Sequence, residues 1–533
     1  MLFNWIKHRR REAPDASIAQ AQDRRRQGEY EAARQLCLDL LRDEPDHVGA
    51  LAMLIGISAD LREFDAGLQW AQRALAVDPQ SVAAYYALGQ LWEVADQHAQ
   101  SAACYRRVTE LAPGHAKAYT NLGCMLHLQG RLDEALACYR QALQLEPEQP
   151  EALRNAALIT GSGDDVAVAM RGYQERIVAN PKDAAAHYSL ANVYLELGRH
   201  EDAMASYDRA IALEPDSAEY RFARAHLLLT LGDYVRGWQE YEWRWRLSRF
   251  NAPLTRFTQP RWDGRPLQDG TLLVHGETGF GDMLQFVRYA ALAARRCASV
   301  IVECQPALES LIRRVEGVSQ VVVQGEALPP FDAHVPLICF PQVFGTTLAT
   351  IPSRQPYVKA EPARIEAWRA LVAPHASGGP KVGLVWSGNP ANVMDRKRSV
   401  TLQQLAPLAG ASAVTFYSLQ KGPGASQVGS PPAGMNLVDL TARIDDFSDT
   451  AAFLSQLDLL ISIDTSVAHL AGAMGLPVWV VLPFAPGWRY HVGRTDNPWY
   501  PTMRLFRQER DGDWGGLVQV VADELIRWTA VAR

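Results

Sequence analysis

Apolar residues in the first half of the chain recur three and four positions apart, which is the spacing of one helix face. Prolines interrupt this pattern at a constant interval of 34 residues. They stand at positions 45, 79, 113, 147, 181 and 215. Because proline cannot continue a helix, each one is expected to open the turn from one helical pair into the next. The pattern therefore predicts an array of helical hairpins over residues 1–250.

Small and aromatic residues recur at fixed places within each period. In the fourth period they are Tyr119, Leu122, Gly123, Gly130, Ala135, Tyr139 and Ala142. Small residues let the two helices approach, and aromatic residues fill the gaps between periods. This arrangement and the 34-residue period resemble the tetratricopeptide repeat. The resemblance implies an α-solenoid of about seven repeats, the first, fifth and seventh degenerate, with a concave groove for a peptide or protein partner.

The helical pattern then stops. Residues 251–270 are rich in proline and glycine, which predicts a linker. Short apolar runs alternate with helical segments over residues 271–355 and 380–533, and a proline-rich crossover at 356–379 separates them. Such alternation predicts two lobes with parallel doubly wound sheets, each with its site at the carboxyl ends of the strands. The last helix, 517–531, is expected to return toward the first lobe.

An apolar run at 459–463 has no polar alternation, as expected of a parallel strand that is covered on both faces. Asp464, Thr465 and Ser466 follow it at the predicted carboxyl edge, where a short helix begins. Two interpretations of this turn remain open. In one, the hydroxyl groups cap the helix and His469 packs behind it. In the other, the free N–H groups of the helix start bind phosphate.

A glycine-rich turn at 276–282 follows the first predicted strand of the first lobe. Its Gly-x-x-Gly-x-Gly spacing is not the dinucleotide-binding fingerprint. Asp282 lies on the first helical turn, directly after Gly281. It is either an N-cap that serves the dipole of this helix or, as a carboxylate at the mouth of a cleft, takes the proton from an attacking hydroxyl group.

The second lobe opens with a strand predicted at 381–386, followed by a glycine turn and a basic loop. Backbone N–H groups and guanidinium donors suit a diphosphate, although an exposed basic loop is the alternative. The candidate diphosphate-binding residues are Ser387, Gly388, Asn389, Lys397, Arg398 and Ser399. Gln420 and Lys421 follow the next predicted strand and are suitably placed for ribose or base contacts.

Two further features have both a structural and a functional interpretation. The aromatic cluster of Trp238, Tyr241, Trp243 and Trp245 either packs the last repeat against the next domain or stacks on a sugar, and packing is favoured. His334 is either a structural histidine, which is favoured, or a residue that lines the cleft.

Composition narrows the range of functions. At 533 residues the chain is too long for one core, and two to four domains are expected. A net charge of −6 and a pI near 6.1 argue against a general nucleic-acid binder. The seven cysteines lack Cys-x-x-Cys spacing and indicate apolar core residues in a reducing compartment. Without an apolar run of membrane-spanning length or a signal-peptide core, a cytoplasmic location is expected.

No metal site is predicted. Asp511-Gly512-Asp513 mimics a metal-binding Asp-x-Asp motif, but it lies beyond the predicted sheet and just before the terminal helix. It is interpreted as a turn.

The stretch from Asp464 to Pro477 has the pattern Asp-Thr-x-x-x-His-x-x-x-Ala-x-Gly-x-Pro. It resembles the nucleotide-sugar motif of heptosyltransferase-type glycosyltransferases, and the whole chain is similar in plan to the O-GlcNAc transferases. The resemblance implies an α + α/β protein, a tetratricopeptide α-solenoid followed by a two-lobed GT-B domain of twin Rossmann-like lobes. It also implies that a sugar is transferred from a nucleotide-diphospho-sugar, with inversion and without a metal ion or a cofactor. The acceptor would be a hydroxyl group of a protein or peptide that the repeats hold.

The resemblance implies a role for each candidate residue. Asp282 would be the general base, and Arg398 with the helix start after Asp464 would offset the charge of the departing diphosphate. Asp464 would face sugar hydroxyls, and His469 the diphosphate or nucleotide. Arg398 stands where heptosyltransferases have a lysine. A degenerate donor-binding scaffold and a nucleotide-sugar epimerase are the alternative functions, and the base and sugar of the donor stay open.

Overall fold

The computed structural model describes residues 14–531 apart from 27, 147–148, 150, 154, 157–162, 248–249, 251–255, 277–278, 376–377 and 390–394. The chain divides into two compact units, Met1–Ala179 and Asn180–Arg533. The division therefore lies within the predicted repeat array and not at residue 250.

The first unit consists of helices in its described part. They are α1 (Pro14–Arg26), α2 (Tyr30–Asp43), α3 (Val48–Asp60), α4 (Phe64–Val77), α5 (Val82–Val94), α6 (His98–Leu111), α7 (Ala116–Leu128), α8 (Leu132–Leu145) and α9 (Gly163–Ala179). Helices α3, α5 and α7 begin 34 residues apart, and so do α2, α4, α6 and α8. The predicted helical hairpins are confirmed.

The same backbone features define the turns of successive repeats. His47, Ser81 and His115 occupy the N-caps of α3, α5 and α7, and each side chain accepts a hydrogen bond from the N–H three residues on. Between the two helices of a pair, one residue adopts the left-handed backbone conformation that favours glycine. These residues are Gly28, Arg62, Asp96 and Gly130. Because two of them are not glycine, a search for glycine alone would miss those turns.

Glycine makes room for aromatic rings where the two helices of a repeat meet. A Cβ at Gly89 would lie 2.7 Å from the ring of Tyr105, and a Cβ at Gly123 would lie 2.6 Å from the ring of Tyr139. Both rings are fully buried. The prediction that small residues let the helices approach is confirmed at these two contacts.

The second unit begins with four more helices of the same periodicity. They are α10 (Ala184–Glu196), α11 (His200–Leu213), α12 (Ala218–Leu231) and α13 (Tyr234–Tyr241). Asp183 and Ser217 cap α10 and α12 in the same way as in the first unit. A 3-10 helix, Glu242–Arg246, follows α13.

The aromatic cluster at the end of the array connects it to both lobes. Trp238 packs against Tyr241, against Phe286 of the first lobe and against Trp488 of the second, with centroid separations of 5.5, 6.2 and 5.2 Å. The other two tryptophans of the cluster stack with arginine guanidinium groups. The packing interpretation of the cluster is therefore confirmed for Trp238.

The first lobe contains a four-stranded parallel sheet in the order β3-β2-β1-β4. Its strands are β1 (Leu267–His275), β2 (Cys297–Cys304), β3 (Gln320–Val323) and β4 (Ala333–Pro336). Its short helices are α14 (Phe280–Phe286), α15 (Ala290–Ala293), α16 (Glu309–Ile312) and α17 (Phe340–Val343). The sequence pattern did not predict β4.

The described part of the predicted linker belongs to the first lobe. Strand β1 begins inside the range 251–270, and Trp262 is buried against Phe340 and Phe344. Arg256 forms a bidentate ion pair with the buried Glu303, at 2.6 and 2.7 Å. The tryptophan contributes to the core despite the surrounding prolines and glycines, so residues 256–270 do not form a separate linker. Residues 251–255 lie outside the described part.

Helix α18 (Pro362–Val372) lies in the predicted crossover. The second lobe contains a seven-stranded sheet in the order β10-β11-β9-β8-β5-β6-β7, parallel except for β10. Its strands are β5 (Lys381–Val385), β6 (Thr415–Ser418), β7 (Leu437–Asp439), β8 (Leu459–Ser462), β9 (Val478–Leu482), β10 (Asp496–Asn497) and β11 (Tyr500–Arg507). Its first helices are α19 (Asp395–Arg398), α20 (Phe447–Leu454) and α21 (Ser466–Ala473). The predicted unit of two strands around a helix is thus present as β8, α21 and β9.

The terminal helix α22 (Trp514–Val531) packs on the second lobe and does not return to the first as expected. Its buried Val521 and Leu525 share a core with Leu402 and Leu405 of a 3-10 helix. The reason is the unpredicted strand β11, which pairs with β9 in the second sheet. Only a short turn separates β11 from α22, so the helix stays on the second lobe. In that turn Asp513 accepts a hydrogen bond from the N–H of Gly516, which agrees with the turn interpretation.

Among the described helices, none is both long and apolar enough to span a membrane. All seven cysteines are free thiols. Five are buried as predicted, namely Cys37, Cys104, Cys297, Cys304 and Cys339. Burial raises the pKa of Cys37 and that of Cys304 to about 12, so these thiols stay protonated.

Candidate functional site

Two short helices that follow parallel strands meet between the lobes. Strand β1 leads to α14 and strand β8 leads to α21, and the two helices pack together. A Cβ at Gly281 would lie 3.0 Å from Cδ2 of His469. The contact between the two helices brings the candidates Asp282 and Asp464 to the same site. We call it the interlobe cleft and define it by Asp282, Arg398, Asp464, His469 and Arg489.

Asp464 is held by three neighbours at the end of β8. Its Oδ1 accepts a hydrogen bond from Tyr490 Oη at 2.5 Å and lies 3.7 Å from His469 Nε2, while its Oδ2 lies 3.7 Å from Arg398 Nη1. Burial opposes the charged carboxylate, but the hydrogen bond and charge of His469, the Tyr490 hydroxyl and the Arg398 charge outweigh it. The pKa of Asp464 is therefore held well below its usual range.

His469 is buried in α21 and fixed from two sides. Its Nδ1 shares a hydrogen bond of 2.9 Å with Tyr500 Oη in β11, and its Nε2 faces Asp464. The ring thus connects the sheet to the carboxylate. The histidine both packs in the helix and reaches the cleft.

The helix start at Thr465 does not have the expected side-chain cap. Thr465 occupies the N-cap of α21, but its hydroxyl forms a hydrogen bond of 3.1 Å with Ser462 Oγ instead of capping the helix. Ser466 is the first helical residue and is half-buried. Capping by the Thr465 side chain is therefore wrong, and phosphate binding by the helix start stays a prediction.

Asp282 forms an ion pair that crosses the cleft. Arg489, in a 3-10 segment after β9, donates from Nη2 to Asp282 Oδ1 and from Nε to Gln285 Oε1, the latter at 2.7 Å. Each side chain of the ion pair retains about a fifth of its surface exposed, 21% for Arg489 and 22% for Asp282. The carboxylate that the sequence marked as a candidate base is thus held in place by a guanidinium group from the other lobe.

A small cavity lies beside Asp282 on the first-lobe side. It is lined by Gly276, Gly279, Asp282, Met283, Gln305, Leu337 and Ile338. Its position next to the carboxylate gives a small group access to the candidate base.

The basic loop and the glycine turn come together around Asp395. The buried Asp395 accepts hydrogen bonds from Arg398 Nε at 3.1 Å and from Ser399 Oγ at 2.8 Å. Ser399 Oγ in turn accepts from the N–H of Gly388 at 2.9 Å. A Cβ at Gly388 would lie 2.0 Å from Asp395 Oδ1, so this position requires glycine. Asp395 therefore sets the position of Arg398 in the cleft.

The remaining candidates of the second lobe have structural partners. Gln420 is buried, and its amide pairs with the N–H groups of Trp386 and Ser387 and with the Ser387 carbonyl, so it joins the ends of β5 and β6. Lys421 Nζ donates to the carbonyls of Thr441 and Ile444. Neither contact tests binding of a nucleotide, which stays a prediction for these residues.

Two candidates lie at the margin of the basic loop. Lys397 Nζ lies 3.2 Å from Glu196 of the repeat helix α10 and therefore does not accompany Arg398 into the cleft. Asn389 is exposed at the end of the described segment before residues 390–394.

His334 lies in a buried cluster of the first lobe. Its Nδ1 is 3.0 Å from His275 Nε2, and Phe257 packs on both rings. Burial lowers the pKa of His334, and burial with nearby positive charge lowers that of His275 to about 3, so both are neutral near pH 7. These contacts agree with the structural interpretation of His334.

Sequence reasoning missed three residues that organise the cleft. Arg489, Tyr490 and Tyr500 hold Asp282, Asp464 and His469 respectively. Arg489 and Tyr490 lie in the stretch Trp-Arg-Tyr-His after β9, which matches no known motif, and Tyr500 lies in the unpredicted strand β11. Within the described residues, no three His, Cys, Asp or Glu side chains are grouped as a metal site.

Comparison with known families identifies the repeats. Models described as tetratricopeptide repeat match residues 18–81, 59–116 and 116–149, and one described as TPR repeat matches residues 191–232. These segments are tetratricopeptide repeats. Repeats of this kind commonly bind other proteins.

Curated and solved proteins show the same partial likeness. Protein FlbA of Caulobacter vibrioides is 27% identical over 314 residues, and the match covers 54% of this chain and 52% of FlbA, about half the length of that relative. A tetratricopeptide repeat protein of Parabacteroides merdae is 16% identical, with a TM-score of 0.36 over 46% of this chain and 96% of its own. A thermophilic TPR protein of Thermus thermophilus is 21% identical, with a TM-score of 0.28 over 41% of this chain and 100% of its own.

Proposed function

We propose that the protein transfers a sugar from a nucleotide-diphospho-sugar to a hydroxyl group of a protein or peptide acceptor, with inversion and without a metal ion. The observation that carries the proposal is the convergence of Asp282, Arg398, Asp464 and His469 between two lobes with parallel sheets. In sheets of this kind, ligands bind at the carboxyl ends of the strands. A two-lobed GT-B arrangement is the form of this architecture that we propose.

Each residue of the cleft has one part in the proposed reaction. The acceptor oxygen attacks the anomeric carbon while its proton passes to Asp282. The bond from the anomeric carbon to the diphosphate breaks, and its electron pair leaves with the nucleoside diphosphate. Arg398 and the N–H groups at the start of α21 offset the charge that develops on the leaving group. Asp464 accepts hydrogen bonds from sugar hydroxyls.

The acceptor is proposed to be a protein or peptide because the same chain carries tetratricopeptide repeats. The small cavity beside Asp282 lies next to the proposed base. The donor is proposed from the charge of Arg398 and the helix start of α21, which suit a diphosphate.

A panel of nucleotide sugars, incubated with the purified protein and a cell extract and analysed by mass spectrometry, tests the proposal. Proteins that gain the mass of one sugar support transfer, and the Asp282→Asn variant serves as the control. A changed free nucleotide sugar without protein labelling would instead indicate an epimerase.

A second candidate function is a donor-binding scaffold without catalysis. The ion pair between Asp282 and Arg489 favours it, because the candidate base is engaged. The internal hydrogen bonds of Gln420 favour it as well. Under this alternative, a nucleoside diphosphate binds in the cleft and no sugar is transferred to any protein in the panel.

A further inference from the structure

The described side chains of the interlobe cleft have no excess of positive charge. The carboxylates of Asp282 and Asp464, with that of the adjacent Asp395, face the guanidinium groups of Arg398 and Arg489 and the imidazole of His469. Lys397 is paired with Glu196. A diphosphate brings further negative charge, so its binding requires that a guanidinium group exchanges a carboxylate partner for a phosphate.

Arg489 is the guanidinium group best prepared for such an exchange. Gln285 Oε1 accepts from its Nε at 2.7 Å, and its Cζ lies 4.5 Å from the centre of the Trp488 ring. These two contacts hold the group in place without using its charge. Its Nη1 makes no hydrogen bond to any described residue, and a fifth of the side chain is exposed. Only the Nη2 contact with Asp282 would have to change.

Arg489 also interacts electrostatically with carboxylates of both lobes. Burial favours the neutral form of Arg489, but the negative charges of Asp282 and Asp464 outweigh it, so the pKa of Arg489 is raised. Its ion pair with Asp282 places it directly beside the candidate base. A phosphate within reach of its free Nη1 would compete directly with Asp282.

We infer that Arg489 is a second diphosphate-binding residue and that its ion pair with Asp282 keeps the base engaged until the donor arrives. This inference rests on the proposed function. When the phosphates take over the guanidinium group, Asp282 loses its cationic partner and becomes available to the acceptor hydroxyl. Binding of the donor and activation of the base are then one event.

Calorimetric titration of the full-length protein with UDP, ADP, GDP and CDP tests the inference, and the tightest ligand is carried into the variants. Asp282→Asn should bind it about two- to fivefold more tightly, because Arg489 no longer has to leave an ion pair. Arg489→Ala should bind it about tenfold or more weakly. Arg494→Ala, which removes an exposed arginine paired with Asp496, is the matched control and should bind as the native protein does.

The double variant separates a specific exchange from a general change of charge. In the Arg489→Ala background, Asp282→Asn should give no gain in affinity. A gain that persists there, or an Asp282→Asn variant that binds no more tightly than the native protein, overturns the inference. Asp282→Asn is isosteric, so its result decides the question even if Arg489→Ala does not fold. If no nucleoside diphosphate binds to the native protein, the proposed function itself fails, and the inference with it.

Discussion

The two cleft carboxylates differ in what surrounds them, and this difference separates their proposed roles. Asp464 is half-buried among a tyrosine hydroxyl, a histidine and an arginine, and its pKa is well below the usual range. A carboxylate with such a low pKa is a weak proton acceptor and a good hydrogen-bond acceptor. Asp282 is paired with the guanidinium group of Arg489 and has a small cavity beside it. Proton transfer is therefore assigned to Asp282 and sugar recognition to Asp464.

Replacing Asp282 by asparagine tests the proton transfer. The amide keeps the shape of the side chain but cannot accept the acceptor proton, so turnover should fall by about 10²-fold or more while the donor still binds. Initial rates of protein labelling measure the effect. Asp269→Asn, which changes an exposed carboxylate in β1, is the control and should keep full activity. Near-native turnover of Asp282→Asn would mean that Asp282 serves only its ion pair.

Arg398 and Lys397 are adjacent in sequence and give a matched pair for the diphosphate site. Arg398 reaches Asp464 in the cleft, whereas Lys397 pairs with Glu196 of α10. Arg398→Ala should weaken binding of the nucleoside diphosphate by about 1.5–3 kcal/mol, the range for a charge-assisted hydrogen bond. Lys397→Ala should change the affinity by about twofold or less, because its charge is paired with Glu196 and not directed into the cleft. Calorimetry that finds equal losses for both variants would place the diphosphate elsewhere.

At the scale of elements, the last repeat helix and the segment that carries the cleft residues form one packed junction. Tyr234 in α13 accepts a hydrogen bond from Trp499 Nε1 at 2.7 Å and pairs with His491 Nε2 at 3.1 Å. Trp238 packs on Trp488, which precedes Arg489. The repeat hairpin α12–α13 therefore supports the segment that holds Asp282 and Asp464 in place.

Two tyrosine-to-phenylalanine changes test this junction. Tyr234→Phe leaves the buried Trp499 Nε1–H and His491 Nε2 without their shared partner, and the unfolding free energy should fall by about 1–3 kcal/mol. Tyr417 is its matched control, because its buried hydroxyl has no hydrogen-bond partner among the described residues. Tyr417→Phe should be neutral or stabilising. Urea unfolding of both variants provides the comparison, and equal stability would show that the junction hydroxyl contributes nothing.

The sequence predicted those elements whose own pattern is sufficient to define them. Strand β8, helix α21 and the 34-residue repeats follow from apolar runs and a fixed period. Strand β11 was missed, because Pro501 near its start disfavours a strand and its polar residues face outward. The ion pair between Asp282 and Arg489 joins residues that are 207 positions apart. Such a contact depends on how the lobes pack, and no local pattern encodes it.

At the scale of the whole molecule, the unit boundary does not follow the repeat pattern. The period continues past residue 179 into α10–α13, yet these helices belong to the compact unit Asn180–Arg533. The aromatic residues of α13 explain this, because they belong to the same core as both lobes. The second unit thus contains both repeat helices and the proposed cleft. The first unit consists of helices in its described part.

Removing residues 1–179 tests whether the first unit selects the acceptor. The cut retains α10–α13 and every residue of the interlobe cleft, so the second unit should fold and bind a nucleoside diphosphate with native affinity. Labelling of a protein acceptor should be lost, because the removed tetratricopeptide repeats are proposed to bind that acceptor. Slow hydrolysis of the nucleotide sugar should remain, since water can reach the cleft without being bound by the repeats. If the shortened protein labels its protein acceptor at the full-length rate, the first unit is not the selector, and a glycan or small-molecule acceptor becomes the better proposal.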